Sequence, residues 1–193
     1  MAKVKIVGLD PSQRHWGTAS GYADLDTGEL TIHAMRVVHT HILEDSAKRT
    51  SELDIMSATE LYNGVSEVIK DADIVCVEVP TGSQSADAAK SRGICLGVLG
   101  SVKADHFIYV TPQAVKKVVG NSKATKRDVV EWASKQHPEA PWPMYRGKIK
   151  VGEAEHMADA IVAIYAAANT PEFKQLILEY KNHASTNQET TQD

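Results

Sequence analysis

Val4-Lys5-Ile6-Val7-Gly8-Leu9-Asp10 is the stretch that decides the fold, an apolar run that ends on a carboxylate. Val4–Leu9 reads as a strand, and Asp10 stands at its exit. The same design recurs at Ile74-Val75-Cys76-Val77, which closes on Glu78. A third acidic cluster, Glu155-His156-Met157-Ala158-Asp159, opens the apolar stretch Ala160 to Ala168. A carboxylate at a strand's exit is costly to bury without a partner or a metal. Taken singly, Asp10 before Pro11 reads equally as a turn former, and Glu78 before Val79-Pro80 as a solvated strand end. Three such sites in one small chain point instead to an acidic pocket that holds divalent cations.

Outward from these runs, the order of elements is that of an α/β fold. Gly17–Leu25 and Glu29–Val38 alternate as strands, and Asp26-Thr27-Gly28 between them is a hairpin turn. Ser46 to Lys70 reads as a long helix with an apolar face of Leu53, Met56, Leu61, Val65, Val68 and Ile69. Asp73–Val79 is a short continuous apolar strand of the kind buried in a sheet. Ser85–Lys103 reads as a helix rich in small residues, and His106–Val110 as another strand. Thr111-Pro112 starts a short helix, with Thr111 as N-cap and proline in the first turn, and Gly120-Asn121 ends it. Helices over Thr125–Gln136, Gly152–Ala168 and Pro171–Tyr180 follow. Pro138 to Lys150 holds three prolines and no clear period, and reads as a loop. The sequence predicts one domain over residues 1–180 and a polar, disordered tail over 181–193.

Composition excludes several classes. A chain of 193 residues, 42% hydrophobic and 24% charged, fits one soluble globule with a real core. No apolar stretch is long enough to span a membrane, and Met1-Ala2-Lys3-Val4 runs into a strand without the apolar core of a signal peptide. The two cysteines, Cys76 and Cys95, have no zinc spacing and read as small buried thiols. A reducing, cytoplasmic setting is expected.

The formal charge of −4 hides an uneven distribution. Thr111 to Lys150 carries nine Lys or Arg against three Asp or Glu, a net of +6, while the rest of the chain stands at −10. A basic segment on an acidic body is a footprint for a polyanion, nucleic acid being the commonest. Phosphate contacts are expected from Lys116, Lys117, Lys123, Lys126 and Arg127, with Lys90 and Arg92 following the Glu78 loop. The backbone of Gly120-Asn121-Ser122 offers further N–H groups to a phosphate. Trp142, Tyr145, Arg146, Lys148 and Lys150 interleave aromatic and basic side chains, which suits stacking plus phosphate contact as well as a loop packed down by its tryptophan.

The arrangement of hairpin, third strand, helix, then strands alternating with helices is the ribonuclease H-like pattern, a central mixed five-stranded sheet flanked by helices. Five motifs occur in order along it. They are Gly8-Leu9-Asp10-Pro11-Ser12, Val77-Glu78, Lys90-Ser91-Arg92-Gly93, Thr111-Pro112-Gln113-Ala114-Val115-Lys116-Lys117-Val118-Val119-Gly120, and His156-Met157-Ala158-Asp159-Ala160. With these, residues 4 to 170 resemble the RuvC family of Holliday-junction resolvases, most closely its shorter, phage-type members. Ser12 stands where the family more usually has glycine. His156 stands where many bacterial members have aspartate and some have histidine. The loop Pro80-Thr81-Gly82-Ser83-Gln84 lacks the aromatic that bacterial members place against DNA bases, and the proline-rich loop near Trp142 has no clear counterpart.

The resemblance implies an endodeoxyribonuclease that cuts four-way DNA with Mg²⁺ or Mn²⁺. Two ions about 4 Å apart would stabilise the attacking and leaving oxygens of an in-line hydrolysis. Asp10 is the candidate bridge, Glu78 serves the ion nearest the leaving group, and Asp159 completes the other site. His156 precedes Asp159 by one helical turn, about 60° around the helix axis, and is expected to orient or deprotonate water or to ligate a metal. Glu155 is a candidate supporting carboxylate. Paired cuts call for a homodimer, and Gly93-Ile94-Cys95-Leu96-Gly97-Val98-Leu99-Gly100 is where the resemblance puts its contact. Glycines there weaken a helix and so need a reason, burial against the protein's own sheet being the other one. His33, His39 and His41 read as surface residues. The rival readings are a broader branched-DNA endonuclease, an RNA-processing nuclease of the same fold, an actin-like ATP-binding domain and a silent junction binder. The ATP-binding class needs two duplicated domains, and a pure binder would gain by losing its acidic residues.

Overall fold

The computed structural model describes residues 2–41, 48–79, 81–83, 85–121 and 123–189, with side chains described to residue 185. Five strands form one sheet: β1 (Lys3–Asp10), β2 (His15–Asp24), β3 (Leu30–His39), β4 (Ile74–Glu78) and β5 (His106–Val110), in the order β3-β2-β1-β4-β5. β1 pairs antiparallel with β2 and parallel with β4, β2 with β3 is antiparallel, and β4 with β5 is parallel. The mixed five-stranded sheet is therefore as the sequence indicates. Among the described residues six helices flank it: α1 (Thr50–Ile69), α2 (Ala86–Ser101), α3 (Pro112–Val119), α4 (Lys126–Gln136), α5 (Val151–Ala168) and α6 (Pro171–Glu189).

The two-residue period of the central strands sorts the core into two layers. Val4, Ile6, Ile74 and Cys76 join a cluster under α5, together with residues of α3, α4 and α6. Val7, Leu9, Val75 and Val77 face the other way and join Leu61, Val65 and Ile69 of α1 and Cys95, Val98 and Leu99 of α2. The buried stripe of α1 is Ser57, Leu61, Val65 and Ile69, at intervals of four, whereas Met56 is 38% exposed. The expected start of that helix at Ser46 lies outside the described residues.

α5 lies against the sheet with an unusually small-residue underside. Ala154, Ala158, Ala160, Ala163 and Ala167 are all fully buried. Glycine allows the approach from the other side: a Cβ on Gly8 would fall 2.8 Å from Ile164 Cγ1, and one on Gly17 would fall 2.9 Å from His156 Cβ. Both would lie closer still to the backbone carbonyls of Ala160 and His156.

Helix ends follow sequence chemistry. Thr111 and Ser85 accept hydrogen bonds from Ala114 N and Ala88 N, and Gly120 closes α3 in the left-handed region at φ 77°. Thr125 and Asp128 form a reciprocal capping box at the start of α4.

Two expectations need correction. Residues 181–189 are not a disordered tail but the last turns of α6. Tyr180 and Ala184 reach the core cluster, Lys181 pairs with Asp26 at 3.2 Å, and Ser185 Oγ donates back to the Lys181 carbonyl. Those contacts extend the helix beyond what its polar composition suggests. Second, Pro138–Lys150 is not wholly irregular: Met144–Tyr145 (β6) and Lys148–Ile149 (β7) form a two-stranded ribbon. Arg146 and Gly147 at its tip have φ of 48° and 75°, the pair of positive angles a type I′ turn requires. Among the described residues no helix is long and apolar enough to cross a membrane.

Candidate active site

The strand period that builds the core also aims the acids. Asp10 follows Val4, Ile6 and Gly8 on the α5 face of β1, and Glu78 follows Ile74 and Cys76 on the same face of β4. The parallel register sets Leu9 opposite Val77, so the two carboxylates leave the sheet side by side. α5 passes over this end of the sheet and brings His156 and Asp159, three residues apart, to meet them. His156 Nδ1 lies 2.9 Å from Asp10 Oδ2. The chain thus gathers Asp10, Glu78, His156 and Asp159 at one end of the central strands.

The charges there are poorly compensated. Burial, then the charge of Asp10, raises the Glu78 carboxyl to about 7, although Lys116 opposes the shift. Burial, then the charges of Asp10 and Glu78, raises Asp159 to about 7 as well. The imidazole of His156 is raised above its ordinary value, first by its hydrogen bond to Asp10 and then by the surrounding carboxylates, against the cost of burial. The His156 ring is thus a direct hydrogen-bond partner of Asp10. Acids crowded until they hold protons near neutrality are a mark of functional sites. The oxygen-rich donor set suits a hard divalent cation. Among the described residues no group of three or more His, Cys, Asp or Glu side chains is arranged as a coordination shell. His156 is drawn onto Asp10 instead.

Glu155 sits at the rim. Its Oε1 receives Lys126 Nζ at 2.7 Å and lies 3.8 Å from His156 Nε2. Lys126 also feels the charges of Asp159 and Asp10, so α4 contributes a cation to the site. Lys116 on α3 does the same for Glu78. The other expected phosphate contacts are distributed differently. Lys90 is turned to Asp54 of α1 at 3.0 Å. Arg92 is partly buried, its Nε enclosed without a hydrogen-bond partner among the described residues. Lys117 lines a cleft with Trp132 and Tyr165. Lys123 and Arg127 are exposed near the start of α4. Ser122, Pro80 and Gln84 lie outside the described residues.

His15, which no sequence motif marks, joins His39 and His156 in a row. His15 stacks on His156 with ring centroids 6.0 Å apart and planes 15° apart, and His39 meets His15 edge-on at 5.1 Å. His15 is held by Ser12, whose Oγ donates to the His15 carbonyl at 2.6 Å and accepts from its N–H at 3.1 Å. The β2–β3 register sets His15 opposite His39, and α5 brings His156 onto His15. The three rings line a groove of about 670 Å³ that runs on to Pro141 and Pro143.

No family model matches the chain, and no curated protein does. Solved structures do share its fold. The chain is similar to Thermus thermophilus RuvC in complex with a Holliday junction substrate, with a TM-score of 0.59 and 19% identity over 84% of this chain and 92% of that one. It is also similar to the yeast mitochondrial Holliday junction resolvase Ydc2, with a TM-score of 0.57 and 11% identity over 95% and 86%. The fowlpox virus Holliday junction resolvase matches at 0.51 and 13%, over 86% and 98%. The fold is that of RuvC-like proteins, a ribonuclease H-like α/β fold, and these likenesses span nearly the full length of both partners.

Proposed function

We propose that this chain is a divalent-metal-dependent, structure-selective endodeoxyribonuclease that resolves Holliday junctions by paired symmetric nicks. Hydrolysis would leave 5′-phosphate and 3′-hydroxyl ends. The observation that carries the reading is the meeting of Asp10, Glu78 and Asp159 beside His156, with Glu78 and Asp159 both raised to about 7. Such a cluster needs positive charge, and a polyanionic substrate alone would not supply it. Asp10, Glu78 and Asp159 would hold Mg²⁺ or Mn²⁺, two ions per site, with His156 as a further ligand or as the base. The ions' chemistry is stabilisation of the attacking and leaving oxygens in an in-line displacement.

The chain's own groups supply the rest. Asp10 orients the His156 ring through Nδ1, which leaves Nε2 to exchange a proton. Lys116 and Lys126 draw a phosphate toward the carboxylates, which would otherwise repel it. The further basic residues Lys117, Lys123 and Arg127 would hold the flanking backbone, and Lys90 and Arg92 would do so from α2. Two opposed cuts call for two sites, which a homodimer supplies. Among the described residues nothing lies within 4 Å of a Cβ built on Gly93, Gly97 or Gly100 of α2, and Leu96 beside them is 38% exposed. That surface would let a second copy's helix approach closely.

The test is incubation with Mg²⁺ and labelled four-way, flap and linear DNA, with a structured RNA in parallel. Paired nicks in opposing strands of the four-way junction are expected, and Asp10→Asn should abolish them while keeping junction binding. Equal cutting of all DNAs would replace the reading with a general nuclease, cutting of flaps and junctions alike with a broader branched-DNA endonuclease, and cutting of RNA alone with an RNA-processing enzyme. Full activity in Asp10→Asn would remove the site assignment.

A further inference from the structure

The β6–β7 ribbon is the most conspicuous feature that the catalytic reading leaves unused. It carries two large apolar side chains into solvent, Met144 at 56% and Tyr145 at 58% exposure. Neither is needed to hold the ribbon down. Its base is fixed by Trp142, which is buried and donates from Nε1 to the His137 carbonyl at 2.8 Å. His137 is in turn within 3.0 Å of the Tyr165 hydroxyl on α5, and Lys150 N donates to the Pro143 carbonyl at 2.9 Å. Ile149 packs toward the core. The aromatic at the tip is thus displayed on a stiff support whose β7 strand ends directly before α5, the helix that carries His156 and Asp159.

The tip chemistry selects an occupant. The Arg146 guanidinium lies 5.1 Å from the Tyr145 ring centroid, and Lys148 follows across the turn. Arg146 holds its place at φ 48°, a conformation that costs energy for any residue but glycine. A flat ring backed by a cation, with further positive charge beside it, is a platform for a nucleobase attached to a phosphate backbone. The groove from His15, His39 and His156 runs to Pro141 and Pro143 and so reaches the foot of the ribbon. A strand whose phosphate sits at the carboxylates can follow that groove and bring a base to Tyr145. Paired duplex bases are already stacked on each other, so the platform favours strands that are open, as at a branch point.

We infer that the β6–β7 ribbon is a second DNA-contacting element, in which Tyr145 stacks on an unpaired base next to the cleavage site while Arg146 and Lys148 hold its phosphates. This rests on the proposed junction nuclease reading. The test uses the full chain with Asp10→Asn to prevent cutting, and four-way junctions with 2-aminopurine at positions flanking the branch point. Stacking on Tyr145 should quench the probe at one position. Tyr145→Ala should relieve the quench and weaken junction binding by roughly 5- to 150-fold, the span set by a single base–aromatic stack. Tyr145→Phe should restore both, and affinity for linear duplex should hardly change. Thermal melting of each variant confirms an intact fold, since the side chain is at the surface. If the wild-type chain binds junctions and Tyr145→Ala binds and quenches equally, the inference is overturned while the nuclease reading stands. If the chain binds no branched DNA at all, both are overturned.

Discussion

Gly17→Ala tests whether the site depends on how closely α5 approaches the sheet. Gly17 sits opposite Asp10 in the β1–β2 register, directly under His156. The added methyl would fall 2.9 Å from His156 Cβ and nearer still to the His156 carbonyl, where ordinary contact begins at 3.4 Å. Both obstacles belong to the helix itself or lie next to its backbone, so no rotamer change relieves them. The start of α5 must lift by on the order of 1 Å, against a core of fitted alanines. Overpacking of this kind costs about 1–3 kcal/mol. A shift of about 1 Å in a positioned group costs about 10²-fold in rate. His156 and Asp159 move with the helix while Asp10 and Glu78 stay with the strands, so Gly17→Ala should lower both the melting temperature and junction cleavage. Gly28→Ala is the control: among the described residues nothing lies within 4 Å of its Cβ position, and its φ of 73° confines the cost to the turn. It should lose some stability and keep its turnover. A Gly17→Ala protein with unaltered melting and full cleavage would show that the close approach does not matter.

Replacing His156 by alanine should lower turnover by roughly 10²- to 10⁴-fold, and His156→Asp should recover more activity than alanine does; equal loss in both, measured as single-turnover rates, points to a purely structural role. Changing Lys116, Lys117 and Lys123 together to alanine should weaken junction binding and flatten its salt dependence by about 0.9 for each phosphate no longer neutralised, and an unchanged slope in a titration from low to high salt would assign DNA to another surface. His137 gives a pH signature of stability: burial lowers its pKa below 6.5, so the unfolded chain binds more protons than the folded one at acid pH. Stability should therefore be intact above about pH 6.5 and fall as pH drops through the lowered folded value, and His137→Gln should flatten that part of the melting-temperature profile.

The core of the fold was legible because it rests on local periodicities. Alternation along Val4–Asp10 and Ile74–Glu78 not only marks strands but fixes which face each carboxylate takes, and the spacing of His156 and Asp159 puts them on one side of a helix. The N-cap Thr111 and the helix starts read at Ser85 and Thr125 fall within a residue of those observed. What escaped was set by contacts between distant segments. Tail residues 181–189 are polar in sequence, but Tyr180 and Ala184 find the core and carry the helix onward. The β6–β7 ribbon has only two residues in each strand, too few for a period to show. The ion pair of Lys90 with Asp54 on α1 likewise joins segments far apart in sequence, and a phosphate held by Lys90 would share it with that carboxylate.

Ser12 illustrates how a departure from a motif is repaired by structure. A glycine at that position would give the turn after Asp10 its freedom. Serine gives it two hydrogen bonds instead, one in each direction with the backbone of His15. The turn is thereby fixed rather than loosened, and the residue it fixes is the one whose ring stacks on His156. Ser12→Gly should then act through His15 and not through the carboxylates. The expected result is a fall in turnover with junction affinity retained, to the same extent as in His15→Ala and with no further loss when the two changes are combined. Multiplied losses in the double variant would mean that Ser12 and His15 serve the site separately, and undiminished turnover in both single variants would leave the stacked pair without a part in positioning His156.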